Sequence, residues 1–296
     1  MPVPGSPALV AITGSHGLVG SALVRDLGAS GYPIRRVARD PASGALDLRA
    51  VADADAVVHL AGENIAGGRW THARKRKLRD SRVLTTRALA EALAARERPP
   101  RVLVSASGIN CYGDRGDERL TEESSRGHGF LADLCREWEG ATAPAEARGV
   151  RVVHLRIGMV LNRHGGALAK MLLPFRLGLG GIIGSGDQWM SWIALDDLVD
   201  VIRHALTTDA LRGPLNAVAP EPVTNREFTR ALARALRRPA LLPVPAFAAR
   251  LALGEMADAL LLASIRVEPG RLLAGGYAFR HPTLAAALAH ELGARA

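Results

Sequence analysis

The sequence predicts an α/β chain, a doubly wound parallel sheet followed by a small, mostly helical C-terminal cap. Short apolar runs alternate with amphipathic stretches at the pace of βαβ units through the first half. A glycine-rich turn follows the first of those runs. After about residue 162 the texture becomes glycine-rich, helical and punctuated by proline.

Taken in order, ALVAIT (8–13), PIRRVA (33–38), DAVVHLAG (55–62), RVLVSAS (101–107) and VRVVHLRIGMVL (150–161) read as strands. Each is short and mostly apolar, as expected of a parallel sheet covered on both faces. Helices are expected over about 17–29, 71–95 and 129–147. In the last of these, Phe130, Leu131, Leu134, Cys135 and Trp138 fall on one face, with Asp133, Arg136 and Glu137 outside. LDDLVDVIRHAL (195–206) is a further helix, whose Asp196 and Asp197 read as a capping pair at its N-terminus. Residues 1–162, with 187–212 returning to them, are assigned to the sheet domain, and 163–186 and 213–296 to the cap.

Composition narrows the function classes. The formal charge is +9, but the arginines are scattered and lysine is confined to Lys75, Lys77 and Lys170. The dense basic run ARKRKLRDSR (73–82) reads as a solvated helix face, with a phosphate-contacting patch as the alternative, so no nucleic-acid partner is expected. No apolar stretch reaches the roughly 20 uninterrupted residues of a membrane helix. The N-terminal stretch leads into a strand without a basic leader, so a cytoplasmic protein is expected. Cys111 and Cys135 have no metal-ligand or CxxC spacing, which points to a reducing compartment and no metal site.

The glycine turn carries the chemistry. ITGSHGLVGSALVRDL sets Gly14, Gly17 and Gly20 between an apolar strand and an amphipathic helix. That context suits a dinucleotide: the first glycine makes the turn, the second lets backbone approach a pyrophosphate, and the third allows close helix packing. The helix N-terminus presents unpaired amides to the phosphates. This makes the sheet a Rossmann-type one. The second strand ends at Ala38 and Arg39, where an NAD enzyme usually carries an acid for the ribose hydroxyls. A guanidinium there grips a 2'-phosphate, so NADP(H) is preferred, and Asp40 keeps NAD(H) possible.

TGSHGLVG, HLAG (59–62), SASGINCYG (105–113) and LRIGMVL (155–161), in that order and spacing, resemble the extended short-chain dehydrogenase/reductase superfamily. Further blocks, among them GENIAGGRWT, SRVLTTRALAEAL, GSGDQWMSWIALDDLV, RPALLPVPAF and FRHPTLAAAL, resemble its atypical branch called epimerase family proteins, which has a C-terminal domain of its own. The resemblance covers nearly the whole chain. It implies cofactor contacts at Gly14, Ser15, His16, Gly17, Leu18, Val19, Arg39, Leu60, Ala61, Gly62, Ser105 and Arg156. It also implies a catalytic Tyr-x-x-x-Lys pair on one helical face, the lysine lowering the tyrosine pKa.

With Glu139 aligned to the acid that commonly follows that pair, Cys135 takes the lysine position and Leu131, or Phe130, the tyrosine position. Neither can exchange a proton as the pair does. The partner hydroxyl falls at Ser107 or is lost at Gly108. Tyr112 is then the first candidate acid, with a packing tyrosine as the alternative. Asn64, Arg69, Trp70 and Gln188 are candidates for the substrate pocket, with Trp189 and Trp192 read as core or wall. His59 and His154 lie within strand patterns and read as satisfied buried histidines. Three functions are compatible with this sequence. They are an oxidoreductase of a small carbonyl or hydroxyl substrate, a non-catalytic NADP(H)-binding or redox-sensing protein, and a sugar-nucleotide epimerase or dehydratase. Oligomeric state is open.

Overall fold

The structure, a computed structural model, describes residues 7–40 and 43–293. β1 (Val10–Thr13) is buried along its whole length and leads through the glycine turn into α1 (Leu18–Ala29). β2 (Ile34–Val37), β3 (Ala56–His59), α2 (His72–Ala94) and β4 (Val102–Gly108) follow. Next come a short β5 (Arg119–Leu120), α3 (Phe130–Gly140), α4 (Ala143–Ala147), β6 (Arg151–Ile157) and β7 (Met159–Leu161). The helix expected over 129–147 is therefore two. Pro144 occupies the first turn of α4, where its missing amide costs nothing but where a continuing helix would need one.

The second half holds α5 (Gly166–Arg176), β8 (Trp189–Met190), β9 (Trp192–Ala194), α6 (Leu195–Thr207), β10 (Gly213–Ala217), β11 (Val223–Thr224) and α7 (Asn225–Leu236). It closes with α8 (Ala246–Leu253), α9 (Glu255–Ala257), β12 (Arg266–Val267), α10 (Gly270–Ala274) and α11 (Leu284–Leu292). Six strands make one sheet in the order β10, β6, β4, β3, β1, β2, every pair parallel. Gly213–Ala217, assigned to the cap from sequence, instead adds the edge strand beside β6. Its short apolar run gave no sign of pairing with a strand some sixty residues earlier.

Among the described residues the buried apolar side chains form several clusters, one of which, with Ala11, Val57, Leu89, Leu93, Leu103, Ala145 and Val152, packs one face of the sheet against α2 and α4. Val10, Ile12, Leu23, Val104, Leu155, Leu198 and Ile202 pack the sheet against α1 and α6. Leu168, Leu172, Phe175, Trp192, Phe228, Leu232 and Leu288 form a separate core joining α5, α7 and α11. The order of the strands turns back at β1, so the carboxyl ends of β1 and β3 form the crevice where such sheets receive ligands.

Candidate cofactor cleft and its surroundings

At that crevice the chain is shaped by what it lacks. Gly14 has a φ of +67°, and a Cβ there would stand 2.7 Å from the Leu60 carbonyl carbon. A Cβ on Gly20 would stand 2.2 Å from the Gly14 carbonyl oxygen. Only glycine lets the turn, the end of β3 and the first turn of α1 approach so closely. The N-terminus of α1 has no capping side chain and no acid in its first turn, which leaves its amides directed out of the helix. Ser15, 1% exposed, has a hydroxyl without a hydrogen-bond partner, an anomaly for a buried polar atom. Glycine cradle, free amides and orphan hydroxyl together fit a phosphate-bearing ligand. His16 and Gly17 are exposed at this turn, and Leu18 and Val19 half-buried.

Arg39 is exposed beyond the end of β2, its Nη1 donating to the Gly44 carbonyl at 2.6 Å. Arg35 is instead engaged with Asp53. Leu60 and Ala61 donate their backbone amides to Thr13 Oγ1, each at 3.2 Å, which ties the end of β3 to β1. Ser105 is buried in β4, paired in register with His59 and His154. His59 sits between Thr13 Oγ1 (2.7 Å) and Thr86 Oγ1 (2.9 Å), and burial lowers its pKa to about 4. His154 meets Thr142 Oγ1 at 2.9 Å. Both are satisfied by hydrogen bonds, His59 fully buried and His154 half-buried.

The face of α3 on which the resemblance sets the Tyr-x-x-x-Lys positions is closed. Leu131 and Cys135 are 6% and 5% exposed. Burial pushes the Cys135 thiol up to about 11, and its Sγ lies 3.7 Å from the Gly108 carbonyl. One turn on, Glu139 is the hub of a buried network. It receives Arg156 Nε and Nη2, both at 3.0 Å, Arg126 Nη2 at 2.5 Å and Ser107 Oγ at 2.8 Å. Burial alone would raise its pKa; the Arg156 guanidinium overcomes that and holds the carboxyl below its ordinary range.

Arg156 Nη1 in turn donates to the Tyr112 hydroxyl at 2.9 Å, which donates to Asn216 Oδ1 at 2.7 Å. Tyr112 is fully buried, and burial pushes its phenol up to about 12. This geometry draws three of the expected site residues into one buried network: Tyr112 bonds Asn216 and Arg156, Ser107 donates to Glu139, and Arg156 pairs with Glu139 and Tyr112. Sequence reasoning missed Arg126 and Asn216, and used Glu139 only as an alignment mark.

The loop after β3 carries the residues expected at the mouth of a substrate pocket. Asn64 is exposed, its Oδ1 accepting the Ala66 amide at 3.0 Å. Trp70 donates to the Ile65 carbonyl at 2.9 Å and meets Phe130 edge-on at 5.3 Å. Lys75 lies over the Phe130 ring at 5.0 Å and pairs with Glu255. The exposed Arg69 reaches the other side, where a Cβ on Gly254 would stand 3.5 Å from its guanidinium. Gln188 is buried and donates to the carbonyls of Ile183 (2.9 Å) and Leu261 (3.0 Å), so it staples a loop. Trp192 is core, and Trp189 stacks under Arg266 at 3.9 Å. The basic run of α2 is answered by acids, Arg74 and Lys77 by Glu63 and Arg79 by Glu137.

The family model of the NAD dependent epimerase/dehydratase family matches residues 10–217, and a domain of unknown function matches 244–291. The Mycobacterium bovis epimerase family protein Mb2239 is 44% identical over 96% of this chain and 97% of its own. Human epimerase family protein SDR39U1 is 39% identical over 94% and 98%. A crystal structure described as human SDR39U1 with NADPH superposes with a TM-score of 0.90 at 37% identity, covering 97% of this chain and 100% of the other. No helix among the described residues is long and apolar enough to cross a membrane.

Proposed function

Because the chain belongs to the NAD dependent epimerase/dehydratase family, we propose that it binds NADP(H) and is an oxidoreductase of a small carbonyl or hydroxyl compound. The observation that carries the reading is the cradle of Gly14, Gly17 and Gly20 around the buried, unpartnered Ser15 hydroxyl. The amides of α1 hold the pyrophosphate, and Ser15 gains an acceptor there. Arg39, which donates to the Gly44 carbonyl, would hold the 2'-phosphate through charge-assisted hydrogen bonds. The description of the human relative with NADPH supports the same cofactor. NAD(H) remains possible at this cradle, with the preference set by Arg39.

Bound NADPH supplies hydride; the protein's part is to hold the substrate and keep the cleft dry. Arg69 and Asn64, exposed at the mouth, receive an anionic or polar substrate group, and Trp70 and Phe130 wall the approach. The proton for the product oxygen is not taken from α3, where Leu131 has none and the Cys135 thiol is held near 11. An epimerase or dehydratase needs a base on that helix and is the weaker reading.

A second reading, an NADP(H)-binding sensor without turnover, is favoured by the closed packing of Leu131, Cys135 and Tyr112. A panel of carbonyl compounds followed by NADPH absorbance separates the two, with Arg69→Ala as control. Turnover that weakens in the Arg69 variant supports the oxidoreductase; tight NADPH binding with no turnover across the panel refutes it and leaves the sensor.

A further inference from the structure

Asp196 and Asp197 do not cap α6, whose N-cap is Ala194 without a side-chain hydrogen bond. They reach across to the C-terminal segment instead. Asp197, fully buried, accepts the backbone amides of Arg280 at 2.6 Å and His281 at 3.0 Å. That fixes the chain just before α11, which starts at its cap Thr283 and carries His290 in its last turn. As a result Asp196 Oδ2 lies 2.9 Å from His290 Nε2, and the His281 and His290 rings stack at 4.3 Å and 26°. One ligand atom from each of the three residues lies within 4.8 Å of the others.

We propose that Asp196, His281 and His290 form a zinc site that clamps α11 onto α6. Zinc takes nitrogen at about 2.0–2.1 Å and carboxylate oxygen at about 2.0–2.2 Å, so tetrahedral ligands stand roughly 3.4 Å apart. The three donors therefore close on the ion through side-chain rotation, with no movement of the helices. Two neutral imidazoles and one carboxylate select a borderline ion such as zinc over magnesium or calcium, which prefer all-oxygen shells. The nearby Arg280 does not oppose the charge alone, since its guanidinium is paired with Asp200. Asp196 and the histidines are partly or fully exposed, so the fourth position opens to water. The ligands come from the family-matched sheet domain and from the C-terminal domain, so the ion joins the two.

The test uses the full, untagged chain stripped with chelator. Its melting temperature is measured with added zinc chloride or magnesium chloride, and the zinc retained after dialysis is counted per chain. One zinc per chain is expected, with a higher melting temperature in zinc and no response to magnesium. In Asp196→Asn, His281→Ala and His290→Ala, zinc affinity falls more than the roughly tenfold or hundredfold that loss of an outer partner costs. The metal-free melting temperatures of the histidine variants stay near that of the metal-free wild type, which shows that they fold. Failure to retain zinc overturns the proposal, as does equal retention by the three variants, which places the ion elsewhere.

Discussion

Removing the Glu139 carboxylate leaves the Arg156 guanidinium buried and unanswered. Arg156 is 3% exposed and its Nε and Nη2 both point at Glu139, with Arg126 and Ser107 converging on the same carboxylate. Breaking one side of a buried pair costs about 3–5 kcal/mol, chiefly through the charge left behind. Glu139→Ala is therefore expected to lower the melting temperature by roughly 6–20 °C, at about 2–4 °C per kcal/mol for a chain of this size class.

The sign with pH follows from the depressed carboxyl pKa. The contribution of Glu139 is fully present above its unfolded value, taken as 4.5, and is lost as pH falls through the lower folded value. The penalty of Glu139→Ala thus shrinks in acid. Urea titrations of wild type, Glu139→Ala and the double variant Glu139→Leu/Arg156→Met at pH 7 give the decisive comparison. The double variant removes both charges and is expected to recover more than half of the loss. A loss under about 1 kcal/mol for Glu139→Ala, or a double variant as unstable as the single, refutes a penalty caused by an uncompensated arginine.

Gly20→Ala places a Cβ 2.2 Å from the Gly14 carbonyl oxygen. It is expected to cost about 1–3 kcal/mol by overpacking and to weaken NADPH binding more than roughly tenfold, as read by fluorescence titration. Cys111 and Cys135 are buried with thiols raised by desolvation, Cys135 to about 11. Neither is expected to react with iodoacetamide in the native chain at neutral pH, while both react in urea; labelling at the rate of a free thiol would contradict the packing. His59, with a folded pKa lowered to about 4, stabilises the chain above its unfolded value of 6.5 and progressively less as pH falls toward 4. That amounts to about 3 kcal/mol at most. His59→Gln should flatten the fall in urea midpoint between pH 7 and pH 5.

What could be read from the sequence was local. Gly14, Gly17 and Gly20 act within one turn, so their spacing announced both the parallel sheet and the cradle. The absence of a proton-transferring pair at Leu131 and Cys135 came from the family resemblance, which sets Glu139 against the acid that follows that pair. The network around Glu139 was not legible. Tyr112 and Asn216 are 104 residues apart and meet only because β10 joins the sheet beside β6. Asp196 and Asp197 obeyed the rule for a helix start, yet their partners at 280, 281 and 290 are supplied by the C-terminal segment. The two backbone carbonyls that Gln188 holds were not legible either, because they come from residues 183 and 261.

The most direct test is the ratio of NADH to NADPH dissociation constants, measured by fluorescence titration in the wild type and in Arg39→Ala. Hydrogen bonds to a charged group contribute about 1.5–3 kcal/mol, so the wild type should prefer NADPH by roughly 10- to 100-fold and the variant should lose most of that preference. A wild type that binds both equally, or a preference unchanged in Arg39→Ala, would contradict the assignment of this cleft to NADP(H).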